Sequence, residues 1–188
     1  MRVTFELSEN DLNHFRNVMH QAVNAAGALS REEIISSAQK LLNEVNQAEV
    51  PTFVSTRLEK LSTMISMVED SGWALPEEEK ARVLSALAYF SDPEDLIPDH
   101  IPGLGFLDDA IMIELVVGEL KHEIQAFQDF CNYRLAEIAR RGSEASESID
   151  RVSWLVTRRK QLHSRMRTRR GRDRTKRKIT KGSSFSLW

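Results

Sequence analysis

The sequence predicts an all-α fold, a bundle of five or six helices. Three observations carry that expectation. Apolar residues recur three and four positions apart along most of the chain. Helix-starting signals precede several of these runs, and Gly or Pro stands near their ends. Turn-forming residues concentrate in one connector, Ser91 to Asp109, which holds three prolines, two glycines and five aspartates between apolar flanks.

Each element follows in order. Val3, Phe5 and Leu7 alternate, as in a short strand packed on the body. Ser8 to Asp11 is a capping box with Asp in the place of Glu. It opens a first helix with Leu12, Phe15, Val18, Met19, Ala22, Val23 and Ala26 on its apolar stripe, closing near Gly27. Ser30-Arg31-Glu32-Glu33 is a full capping box, and Ile34, Ile35, Ala38, Leu41, Leu42 and Val45 form the second stripe. After Pro51, a third helix carries Val54, Leu58, Leu61, Met64, Ile65 and Val68 and ends near Gly72, with Trp73 packed in the turn. Pro76 followed by Glu77, Glu78 and Glu79 starts a fourth, because proline suits the first position and acids suit the first turn. Its predicted face is Ala81, Val83, Leu84, Leu87, Ala88 and Phe90.

The connector comes next. Asp92 before Pro93 favours a single helical turn. Pro98 and Pro102 push Ile97 and Ile101 out of the α region. Asp108 and Asp109 fall in the first turn of a fifth helix, which is predicted from Phe106 or Leu107 to Arg141. That helix is apolar nearly all round from Ala110 to Val117, as a central buried helix is. A kink is expected at Gly118, followed by a stripe of Leu120, Ile124, Phe127, Phe130, Cys131, Leu135 and Ile138. A sixth helix places Ile149, Val152, Leu155, Val156, Leu162 and Met166 at helical spacing, interleaved with cations. Past Thr168 apolar residues nearly vanish, and the tail is predicted to be disordered, with too little to bury against its ordering entropy.

Tyr89, Pro93, Asp95, Leu96, Ile97, Pro98, Asp99, Pro102, Gly105, Asp108 and Asp109, in this order and spacing, resemble the YkvA-like domain of unknown function. The likeness covers residues 86–117. It implies a helical hairpin and often a membrane-associated setting, and it implies no agreed activity. Glu94 and His100 stand where the family is expected to be apolar. Charge there argues against a hairpin tip that enters lipid.

The formal net charge of -2 hides an asymmetry. Between Arg151 and Lys181 there are 14 Lys and Arg and one acid, Asp173, while the other 12 basic and 27 acidic residues lie in residues 1–150. The chain therefore divides into an acidic helical body, 1–142, containing the hairpin, and a basic helix with an Arg/Lys-rich tail, 143–188. The lone Cys131 excludes an internal disulfide and fits a reducing compartment. MRVTFELSENDL has no signal-type apolar core, and Ala110 to Val117 is far shorter than the roughly 20 residues that span a bilayer. The expected location is cytoplasmic, with the inner face of the membrane as a peripheral option.

Two sets of residues are candidates for chemistry. Asp92, Asp95, Asp99, Asp108 and Asp109 could surround a hard cation, but each also has a local task as a cap or turn former, and their spacing matches no calcium loop. The structural role is favoured, and no metal or cofactor is expected. Cys131 lies on an apolar face and is expected to be a small core residue. No nucleophile elbow, phosphate loop or zinc-binding helix occurs, so the expectation leans away from an enzyme.

The second set is the basic segment: Arg158, Arg159, Lys160, Arg165, Arg167, Arg169, Arg170, Arg172, Arg174, Lys176, Arg177, Lys178 and Lys181. Arg-rich segments bind phosphates through charge and counterion release. The leading expectation is a binding protein whose acidic body docks a protein and whose basic segment contacts nucleic acid, RNA or a ribonucleoprotein above all. The alternative is adsorption of the amphipathic 149–166 segment to anionic lipid. A tail folded back on its own acidic body is the third.

Overall fold

The computed structural model describes residues 8–25, 29–48, 50–91, 106–141 and 153–180. Among them the secondary structure is entirely helical: α1 (Glu9–Ala25), α2 (Arg31–Gln47), α3 (Thr52–Glu69), α4 (Glu77–Leu87) with a 3-10 segment (Ala88–Ser91) after it, α5 (Leu107–Glu119), α6 (Lys121–Arg141) and α7 (Ser153–Thr180). The all-α expectation holds. The suggested strand at Val3 to Leu7 and the centre of the connector lie outside the described residues.

Local signals explain the helix starts. Asp11 Oδ2 accepts from Ser8 N at 2.7 Å, and Ser8 Oγ accepts from Asp11 N at 3.3 Å, so Asp does serve in the box. Those bonds from Ser8 hold the Asp11 carboxyl below its usual pKa. At α2, Ser30 N donates to Glu33 Oε2 at 2.7 Å and Glu33 N donates to Ser30 Oγ at 3.2 Å. The number of helices exceeds the expected five or six because the long fifth one divides. Leu120, fully buried, separates α5 from α6 two residues after Gly118. A Cβ at Gly118 would meet nothing within 4 Å, so that glycine is not required by packing; its low helix propensity is the local weakness.

The chain forms two compact units, one of residues 1–62 and 84–116, the other of 63–83 and 117–186. In the first, α1 and α2 lie against the 3-10 segment. Its core takes Ile34, Ile35, Ala38, Leu41 and Val45 from α2, and Val54, Leu58 and Leu61 from α3. Ala86, Leu87, Tyr89, Phe90, Phe106 and the apolar residues Ala110 to Ile113 complete it. Asp108 and Asp109 are buried in the first turn of α5. Arg57 donates to Glu114 at 3.1 Å and lies 4.1 Å over the Phe53 ring, which accounts for the acid that interrupts the apolar run of α5.

The second unit pairs α6 with α7. Trp73 is completely buried, with ring centroids 5.9 Å from Phe127, 5.2 Å from Phe130 and 4.2 Å from His163. Two arginines fasten the turn that carries it. Arg134 forms a bidentate pair with Asp70, at 3.0 and 2.6 Å, and Arg159 donates to the Gly72 carbonyl at 3.1 Å. Asp70 also accepts from Trp73 N at 2.9 Å.

Three expectations need correction. Ala81 is exposed, and Glu79 is buried in its stead. The stripe on α6 ends sooner than its spacing suggests, since Leu135 is 64% exposed. The segment beyond Thr168, expected to be disordered, is helical to Thr180. Its physical reason is polar: the acids of this unit replace the apolar contacts the segment lacks. Residues 181–188 lie outside the described range.

Candidate functional site

The basic segment forms α7, 28 residues and about 42 Å long at the usual rise. Arginine is a good helix former, which helps a chain so poor in apolar residues. Leu155, Leu162 and Met166 bury one edge of the helix, and Val156 is half-buried beside them. The cations divide around that edge.

One group turns toward the unit. Glu79 and Glu123 are 1% and 0% exposed, far too buried for unpaired carboxylates. Arg170 reaches both, donating to Glu123 at 2.8 Å and Glu79 at 3.5 Å. Arg167 donates to Glu79 at 3.0 Å, and Arg82 lies 3.9 Å from Glu123. Three guanidiniums thus answer two buried carboxylates. Further along, Asp173 pairs with Lys121 and, at 3.0 Å, with His122. Lys121 first and His122 second hold its carboxyl down at about 2. Arg159 completes the group through Gly72. His163 lies among these cations. Burial, then the charges of Arg167 and Arg159, push its pKa down to about 4, and it is neutral near pH 7.

The other group faces solvent. Arg165, Arg169, Arg172 and Lys176 are all exposed and follow at intervals of four, three and four residues. That spacing sets them in one row along α7, steps of roughly 5–6 Å apart. Among the described residues no acid pairs with Arg165, Arg169 or Arg172. Lys160 and Arg174 are exposed elsewhere on the helix. Arg177 and Lys178 belong to the last turn of α7, and Lys181 lies outside the described residues.

The two candidate sets therefore differ. Asp92, Asp95 and Asp99 lie outside the described residues, and only Asp108 and Asp109 of that set are placed, both buried. Among the described residues no group of three or more His, Cys, Asp or Glu converges as metal ligands do. Cys131 is half-buried, and burial raises its thiol pKa, the reverse of what a reactive thiolate needs. Glu79 and Glu123 were missed as partners of the basic segment. Glu123 had a visible signal: it stands between Leu120 and Phe127, three residues after one and four before the other, an acid on an apolar stripe. Glu79 had none, being one of three consecutive acids.

The model of a protein family described as a protein of unknown function (DUF1232) matches residues 79–115, a span that begins at the buried Glu79. The chain is similar to a protein of Bacillus subtilis (strain 168) named "Uncharacterized membrane protein YkvA", with 30% identity over 77 residues, covering 38% of this chain and 71% of that relative. No solved structure matches. Among the described residues no helix is long and apolar enough to cross a membrane. With most of the relative covered, and with the family segment spanning the 3-10 segment and the start of α5, the chain belongs to the YkvA-like family of proteins of unknown function.

Proposed function

We propose that the protein binds nucleic acid, RNA in the first place, through the exposed row on α7. The observation that carries this is the row itself: Arg165, Arg169 and Arg172, with exposed Lys176 next along the same face, are open to solvent, while Arg167 and Arg170 of the same helix are taken up by internal acids. Arginine presents a planar fork suited to phosphate oxygens, and three of the four are Arg. The binding energy comes from charge and counterion release. The buried acids serve this by holding α7 rigid, so the row is arranged before the ligand arrives.

The test is fluorescence anisotropy with labelled RNA and DNA on the full chain and on the R165Q/R169Q/R172Q variant. The expected result is a loss of about 10-fold or more in affinity at near-physiological salt, from three contacts of surface ion-pair strength. Equal affinity in the two proteins would remove the proposal.

A second reading has one observation in its favour, the word "membrane" in the name of the Bacillus subtilis relative. In it, α7 adsorbs to anionic lipid. Insertion as an amphipathic helix is disfavoured, because Leu155, Leu162 and Met166 are already buried within the unit. Only the electrostatic form is left. Co-flotation with phosphatidylserine vesicles but not with neutral ones would support it.

A further inference from the structure

The cationic row continues, at the same spacing, into an aromatic end. Stepping back from Arg165 by four, three and four residues gives Gln161, Arg158 and Trp154. Trp154 meets Tyr133 of α6 edge to face, with centroids 5.6 Å apart and planes at 67°. The Arg158 guanidinium lies 5.2 Å over the same Tyr133 ring. Trp154, Tyr133 and Arg158 are each only half-buried, unlike Trp73, which is fully enclosed. One side of the second unit therefore carries a tryptophan, a tyrosine and an arginine over the tyrosine ring, followed within about 33 Å of helix by the charged row.

We infer that the ligand of this face is single-stranded rather than duplex nucleic acid, with an unpaired base stacked on Trp154 and the phosphodiester backbone tracking Arg165, Arg169 and Arg172. The inference rests on the proposed nucleic-acid function and specifies its substrate class. A charged row alone serves duplex and single strand alike. Aromatic rings left partly open to solvent do not, because bases inside a duplex have their faces covered, whereas an unpaired base offers a π-face to a ring. The arginine over the tyrosine ring extends the platform, since guanidinium planes can also stack on bases. No sequence preference follows, because every base has such a face.

The experiment compares a labelled 20-nucleotide oligouridine with a 20-base-pair RNA duplex, at one salt concentration, on the full chain. The single strand should bind more tightly. Trp154→Ala should weaken the single strand by about 10-fold to 100-fold, the worth of one stacked base, and leave the duplex unchanged. Trp154→Phe, which keeps a ring against Tyr133, should restore most of the loss. A second measurement uses the native site. In a Trp188→Phe chain, Trp73 is enclosed, so quenching of tryptophan emission by oligouridine, and not by duplex, reports Trp154 directly. Equal loss on both ligands, no loss on either, or no quenching by the single strand would overturn the inference. If single strand and duplex bind alike, and R165Q/R169Q/R172Q weakens both, the nucleic-acid function stands without this specificity. If neither binds, both fall together.

Discussion

Arg170 and Arg169 are neighbours on one helix and have opposite environments. Arg170 is 19% exposed at its side chain and is held by two buried carboxylates; Arg169 is exposed, and among the described residues no acid answers it. The difference between the inward and outward cations of α7 teaches that a run of positive charge is not one feature. Part of it is structural material, as necessary to the fold as Leu162, and part is surface. Composition sees the sum. Only the position of Glu79, Glu123 and Asp173 divides it.

That division can be broken from the inward side first, with the largest effect. Glu123→Ala should take from Arg170 and Arg82 the buried carboxylate they share, leaving Glu79 alone for Arg167 and Arg170, and cost about 3–5 kcal/mol, read by urea unfolding. A well-packed apolar replacement of the whole network would cost much less, because the pair itself is weak evidence of net stability. A destabilisation under about 1 kcal/mol for Glu123→Ala would mean that the inward cations are not structural.

Acid gives the next effect. Below about pH 6.5 the unfolded chain takes up a proton at His163, while the folded chain resists this until about pH 4. Stability should therefore fall as pH drops through that window, by something on the order of 3 kcal/mol at its lower end. His163→Leu should flatten that limb. Asp173 acts in a separate window: its depressed pKa contributes stability above about pH 4 that is lost as pH falls toward about 2. Denaturant midpoints measured from about pH 7 down to about 2 separate the two.

The outward side should respond in the opposite manner. R165Q/R169Q/R172Q should change the melting temperature little, since exposed substitutions without partners usually stay within about 0.5 kcal/mol. A large drop in melting temperature would erase the contrast with Arg170. The smallest effect sharpens it. Gly171 lies inside α7, and a Cβ there would meet nothing within 4 Å. Gly171→Ala should stabilise the helix by about 0.5–1 kcal/mol and tighten binding slightly, because the row becomes more rigid.

Much of the fold was legible in the residues, and the reason is local. The Ser30 box, the Pro76 start and the apolar stripes of α2 and α3 are decided by neighbours within a turn or two, and all are present. The failures were non-local. Disorder past Thr168 was inferred from missing apolar residues, but Asp173 and Arg170 find partners at positions 121, 122, 79 and 123, far away in sequence. Likewise the apolar spacing assigns Ala81 to a buried face, whereas Glu79 is the residue enclosed there, because an arginine some ninety residues on makes burial of that acid tolerable. For the candidate site, composition marked the basic segment as one set of cations; what it lacked was the side of the helix that is covered. The Trp154 and Tyr133 contact was not visible at all, since it joins α6 to α7.

The claim at the centre is that the outward row, not the basic segment as a whole, engages the ligand. The salt dependence of single-strand affinity tests it most directly. Four neutralised phosphates give a slope of about -2.8 on a log–log plot, and removing three of the four cations should reduce it to about -0.7. R165Q/R169Q/R172Q should show that shallow slope with an unchanged fold; a slope that stays as steep as that of the intact chain would contradict the account.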